Sequence, residues 1–185
     1  FLVGSRNFLD TAGEWHLDES TGVLTYKPRE GETPKTVTAV APVADALIHV
    51  EGTDTAHVKN LHFNGLHFAH ANWHMPKDGY AAGQATFHAP RQGEQERTYV
   101  VNGPAVVAPA IDFQRAENCS IQGTRITRLA GAAVRFGSQS RRCSLQRSLI
   151  TDIAGNGVMI GENSARTVQG RPWWQSAPEQ AAASN

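Results

Sequence analysis

Between Glu117 and Ser164 the apolar residues fall in short alternating runs, and the pattern is written twice. Glu117–Ser140 reads ENCSIQGTRITRLAGAAVRFGSQS, and Arg141–Ser164 reads RRCSLQRSLITDIAGNGVMIGENS. Cys119 matches Cys143, Ile126 matches Ile150, Gly131 matches Gly155, Val134 matches Val158 and Gly137 matches Gly161, each 24 positions on. A constant offset of roughly 20–50 residues marks repeat architectures. The alternation has the period of a strand, and glycines break it. The expected fold class is therefore all-β, with each repeat forming one coil of a parallel β-solenoid of three short strands.

Alternation assigns the faces of each coil. Cys119, Ile121, Ile126, Leu129, Val134 and Phe136 should point inward, with Cys143, Leu145, Ile150, Ile153, Val158 and Ile160 above them. Ser120, Gln122, Arg125, Arg128 and Arg135 should point out. Each coil then hydrogen-bonds to the next, and the interior fills with aliphatic ladders. A polar site has no place inside, so function belongs to the outer strand faces or the loops.

The same pattern organises the rest of the chain. Glu14–Pro28 (EWHLDESTGVLTYKP) predicts a β-hairpin around the polar turn Asp18–Gly22, and Pro28–Pro34 is a charged connector. Thr36–Val40 and Ala46–Val50 are β-branched runs expected to form the first solenoid strands. Lys59–Ala71 repeats the unit: Asn60, Leu61, Phe63, Gly65 and Phe68 fall opposite Asn118, Cys119, Ile121, Gly123 and Ile126, 58 positions on. Because 58 exceeds two periods, Asn72–Ala108 reads as a long excursion inserted into one coil. The division is thus hairpin and connector over 1–34, coils over 35–165 with the excursion at 72–108, and an irregular tail over 166–185.

Composition narrows the function. The formal net charge is zero and the pI about 7.3, which gives no electrostatic case for nucleic acid or an anionic membrane. No apolar run approaches the ~18 residues of a membrane span, and no secretory signal pattern opens the chain. The chain starts at Phe1 and stops at Asn185 within the pattern, as expected of an internal piece of a longer protein. Its two cysteines share one repeat position and should stack ~4.8 Å apart. They read as buried free thiols packing as small hydrophobes; that separation also lies at the short end of what a disulfide accepts.

The candidate chemistry lies outside the ladders. Aligning the strands by their inward residues gives one outward column: His49, Asp112, Arg135, Met159. Asp112 and Arg135 on neighbouring coils form either a surface ion pair or, with His49, part of a sugar-binding groove. Asp152 is the other carboxylate of the repeat, and its place before Ile153–Gly157 suits a turn. Asp112 and Asp152 are the catalytic candidates within the chain, although they fall on different coils and strand positions. Two carboxylates that cleave a glycosidic bond must lie ~5–9.5 Å apart. The excursion adds Trp73, His74, Tyr80 and Gln84 as candidate substrate-binding residues, since flat aromatic faces and polar tips suit sugar rings. Trp73 and Tyr80 could equally pin the loop to the solenoid wall. The histidines His57, His62, His67, His70, His74 and His88 do not reproduce a zinc spacing, so no metal site is expected, and no cofactor is implied.

Three stretches together resemble a family. NFLDTAGEWHLDESTGVLTYKP (Asn7–Pro28), GLHFAHANWHMPKDGYAAGQA (Gly65–Ala85) and GNGVMIGEN (Gly155–Asn163) look like the middle of bacterial right-handed parallel β-helix proteins. The resemblance runs from about Asn7 to Asn163 and is strongest to the β-helix glycoside hydrolases of α-L-fucosidase and xylanase type. It implies a right-handed solenoid and a secreted or periplasmic carbohydrate-active protein that hydrolyses glycosidic bonds with two carboxylic acids. Its expected partners are an oligosaccharide or polysaccharide of plant or microbial origin and the remaining β-helix coils of the parent chain. Those family acids lie on coils further towards the C-terminus, and no acidic pair here matches them. The competing reading is a non-catalytic β-solenoid, a glycan-binding or adhesin-type scaffold. Further coils bearing outward acids on one face would favour the enzyme; coils without them would favour the scaffold.

Overall fold

The computed structural model describes residues 5–74, 107–161 and 167–172, together with Gln175. The chain divides into two compact units, Phe1–Val40 and Ala41–Asn185. In the first, β1 (Trp15–Asp18) and β2 (Val23–Tyr26) pair antiparallel, with Trp15 opposite Tyr26 and Asp18 opposite Val23. This is the expected hairpin. Its turn closes through the Gly22 N–H donating to Asp18 O at 2.7 Å, with Gly22 at φ +69°. The Asp18 carboxylate caps the same turn, accepting from the Ser20 hydroxyl at 2.6 Å and the Ser20 N–H at 3.0 Å. These bonds, the Ser20 hydroxyl foremost, lower its pKa from 3.8 to about 2.

Thr36–Val40 departs from expectation: it forms no strand. The Thr36 and Val37 N–H groups both donate to Thr33 O, at 2.9 and 3.0 Å, and the Thr36 side chain accepts from the Thr33 N–H at 2.8 Å. Threonine hydroxyls that bond nearby backbone compete with ladder pairing, and here the local turn wins. The first strand of the second unit begins later, at Ile48.

In the second unit the chain makes successive passes that match strand for strand. The first pass gives β3 (Ile48–Glu51), β4 (Val58–Lys59), β5 (His62–Asn64) and β6 (His67–Ala71). The second gives β7 (Pro109–Gln114), β8 (Ala116–Glu117), β9 (Ser120–Gln122) and β10 (Arg125–Leu129). The third gives β11 (Ala132–Phe136), β12 (Ser144–Gln146) and β13 (Leu149–Ile153), and β14 (Val158–Ile160) follows. Strands from successive passes pair in parallel as β3-β7-β11-β14, β4-β8, β5-β9-β12 and β6-β10-β13. Ile126 faces Ile150 and Phe68, and Ile121 faces Leu145 and Phe63, in the register that the sequence alignment gives. The second unit is thus all-β with mostly parallel sheets. A short antiparallel pair, β15 (Thr167–Val168) and β16 (Arg171–Pro172), stands where an irregular tail was expected. Gln169 and Gly170, both at positive φ, make its turn possible.

The core follows the inward assignment. Cys119, Ile121, Ile126, Leu129, Val134 and Phe136 are all buried. Phe63, Phe68, Phe113 and Phe136 form a chain of ring contacts with centroids 5.3 to 6.3 Å apart. Both cysteines are buried thiols, and burial pushes the Cys143 thiol up. At the far end the ladders run out of cover: Val158 is 42% and Ile160 56% exposed, against 0% and 2% for Val134 and Phe136 one pass earlier.

The glycines of the repeat have a packing reason. A Cβ at Gly131 would stand 2.6 Å from Ala108 O, and one at Gly155 would stand 2.8 Å from Ala132 N. Backbone meets backbone at that column, so no side chain fits.

Repeat position alone should not set the cost of core truncation; cover should. Ile126→Ala is expected to cost about 3 kcal/mol or more and Ile150→Ala less than half of that, because Ile150 is only partly buried. Urea denaturation of both variants checks this, and equal losses would refute the uncovered last pass. In the hairpin, the carboxyl ¹³C signal of Asp18 should titrate near pH 2. Its contribution to turn stability is complete above 3.8 and lost as pH falls through about 2. Ser20→Ala should move the midpoint towards 3.8.

Candidate functional site

Pairing in β3-β7-β11-β14 stacks His49 on Asp112, Asp112 on Arg135 and Arg135 on Met159. The outward column read from the sequence is therefore real. Its chemistry is tighter than that of a surface pair. Arg135 grips Asp112 with both arms, Nε donating to Oδ1 at 2.9 Å and Nη2 to Oδ2 at 2.5 Å. Planar guanidinium and carboxylate meet in the two-bond geometry that makes such pairs strong. Gln114 Nε2 donates to Asp112 Oδ1 at 2.8 Å, and His49 Nδ1 stands 3.7 Å from Oδ2. Surrounded this way, Asp112 is only 5% exposed although it points out of the sheet. Arg135 retains 30% side-chain exposure.

The column continues sideways along the strands. His49 Nε2 faces Glu51 Oε2 at 2.7 Å, and Glu51 Oε1 accepts from Arg115 Nη1 at 3.0 Å. Arg115 Nε donates to Asp54 at 2.7 Å. Asp54 also accepts from Gln139 Nε2 at 3.1 Å, and Gln139 Oε1 faces His57 Nε2 at 3.2 Å. A run of polar contacts, Arg135, Asp112, His49, Glu51, Arg115, Asp54, so crosses three passes of the chain. Sequence reading missed Glu51, Gln114 and Arg115. The signal was present for the first two: each lies two residues after a column member, hence on the same strand face.

The other candidates fall elsewhere. Asp152 is exposed in β13, in a different sheet from Asp112, and the structure does not bring the two together. It sits at φ +55° inside the strand, level in the register with Arg128 at +55° and His70 at +64°. Trp73 is half-buried, and its N–H donates to Asn72 Oδ1 at 2.9 Å. Its Cβ would lie 3.3 Å from a Cβ at Gly131, which places it at the head of β11. Arg135 is four residues further along, ~13 Å at strand rise. His74 pairs with Asp45 at 3.3 Å and lies against Asn72. Trp73 and Arg135 thus mark two ends of one sheet. Tyr80 and Gln84 lie outside the described residues. Among the described residues, no helix is long and apolar enough to cross a membrane.

The sequence matches no protein-family model and no curated protein. A solved structure named "Glycoside hydrolase" is similar at 28% identity and a TM-score of 0.70 over 85% of this chain. The chain spans 28% of the length of that structure. The likeness supports a glycoside-hydrolase-like fold.

Removing Arg135 strands a buried carboxylate, which is the costly way to break such a pair. Arg135→Ala is expected to destabilise by roughly 3 kcal/mol. Arg135→Lys should recover less than half, because an ammonium cannot make both bonds. Urea unfolding at neutral pH decides; a loss below about 1 kcal/mol would mark an ordinary surface pair.

Proposed function

We propose that this chain is part of a right-handed parallel β-helix belonging to a secreted or periplasmic glycoside hydrolase of plant or microbial polysaccharide. The observation that carries the reading is the likeness to a solved glycoside hydrolase over 85% of the chain. Parallel sheets that each take one strand per pass agree with the β-helix part.

In this reading the saccharide lies along the outer face of β3-β7-β11-β14. Trp73 and His74 stand towards one end. The open edge of Arg135 donates to a sugar hydroxyl at the other end, where His49 lines the face. We assign Asp112 to holding Arg135 rather than to proton transfer, because both of its oxygens already accept from fixed donors. Asp152, in another sheet, completes no acid pair with it. Cleavage then falls to carboxylates on further coils of the parent chain. The scaffold alternative, binding without turnover, draws support from that same separation of Asp112 and Asp152.

Titration with plant and microbial glycans should change tryptophan fluorescence, and Trp73→Ala should abolish the response. Arg135→Ala should weaken it at least about tenfold, the worth of one charge-assisted hydrogen bond. If no glycan alters any tryptophan signal in the folded wild-type chain, the groove is not there. Hydrolysis by the full-length parent separates enzyme from scaffold.

A further inference from the structure

The face just described depends on one amide. Gln114 follows Asp112 by two residues and shares its outward side of β7. Its Oε1 accepts from the Ser138 N–H at 2.8 Å, a backbone donor one pass further on. That bond fixes which end of the amide is oxygen, because an N–H donor cannot face an NH₂ group. The Nε2 end is thereby turned to Asp112, where it donates to Oδ1 at 2.8 Å. Oδ1 is the same oxygen that accepts from Arg135 Nε. One carboxylate oxygen thus receives two donors from two passes, and the direction of the Gln114 donor is set by the backbone.

Residue 137 explains how this fits. Gly137 follows Phe136, which pairs with Phe113, so it sits beside Gln114 in the register. A Cβ there would overlap the Gln114 amide, whose Cδ, Oε1 and Nε2 are the nearest atoms to it. No positive φ requires glycine at this position. Its use is space.

We propose that Gln114 is a positioning residue: it locks the Asp112–Arg135 pair so that the open edge of Arg135 holds one orientation, and Gly137 exists to admit its amide. Resting on the reading of this face as a saccharide groove, the proposal adds a specificity element to it. The lock fixes where a sugar hydroxyl meets the guanidinium, without touching the sugar itself. It also explains why β7 carries Gln114 where β3 carries Glu51 in register. A carboxylate at 114 could still accept from Ser138 but would face Asp112 with like charge.

The test uses the full chain and the ¹H–¹⁵N signal of the Arg135 side-chain Nε–H. In wild type this proton is held by Asp112 and should exchange slowly. Gln114→Ala, Gln114→Glu and Gly137→Ala should each speed its exchange about tenfold, the effect expected when one bond to a charged group is lost. Gly137→Ala displaces only the far end of a flexible side chain, so the protein should stay folded, as backbone amide spectra will show. The double variant Gln114→Ala/Gly137→Ala should match Gln114→Ala alone, since the glycine acts only through the amide. Unchanged Arg135 exchange in folded Gln114→Ala overturns the proposal. Additive effects in the double variant overturn the role of Gly137. Across the variants, a glycan response that weakens as Arg135 exchange speeds up supports lock and groove together. A moving Arg135 signal with no glycan response in wild type keeps the lock and removes the groove.

Discussion

In-register parallel pairing between successive passes is the constraint on which the second unit rests. It demands that the backbone bend at the same places every time, at corners between strands and at one position inside β6, β10 and β13, and those places are strained. Among the described residues of the stacked passes, nine non-glycine residues have φ between +48° and +64°, and they fall in columns. Asn60 lies with Asn118 and Arg142, Arg115 with Gln139, and His70 with Arg128 and Asp152; Arg147 joins Gly65 and Gly123. Each costs of order 1 kcal/mol or more outside glycine. Ladder bonds offset the cost at the corners themselves. Asn60, Gly65, Arg115, Asn118 and Gly123 each donate their N–H to a carbonyl of the next pass, at 2.7 to 3.1 Å. The Asn118 side chain also donates to Asn60 at 2.6 Å. A corner is therefore stable only when its neighbour repeats it.

This dependence decides what the sequence discloses. The inward ladders were legible from Phe63, Ile121, Ile126 and their repeats, because an apolar residue at the wrong phase would leave the core. The column His49, Asp112, Arg135, Met159 was legible for the same reason, since inward residues fix outward ones. The left-handed corners were legible only at Gly65 and Gly123. Arg128 and Asp152 carry no local mark of a left-handed residue, so Asp152 read as a residue before a turn. Thr36–Val40 has strand composition but no partner pass, and β propensity without a partner does not make a strand.

The candidate site was half legible. Register predicts that Asp112 and Arg135 adjoin, but not that Gln114 and His49 close around them and bury the acid. That step depends on side-chain reach and on the missing Cβ at Gly137. A surface pair and a locked pair have the same spacing in sequence; they differ in the neighbours two residues away.

Stacking also explains the composition of that face. Side chains on adjacent passes are ~4.8 Å apart, a distance at which like charges destabilise and opposite charges attract. A single strand cannot choose its outward residue alone, because the column above and below has already set the sign. The run Arg135, Asp112, His49, Glu51, Arg115, Asp54 obeys this rule in two directions, across the strands and along them. Each of its three carboxylates contacts an arginine, Asp112 through Arg135 and both Glu51 and Asp54 through Arg115. What the face still offers is oriented donors on a rigid sheet, and that selects for ligands rich in neutral acceptors. Sugar hydroxyls are ligands of that kind, so the proposed saccharide groove asks of this face only what its fixed donors can supply.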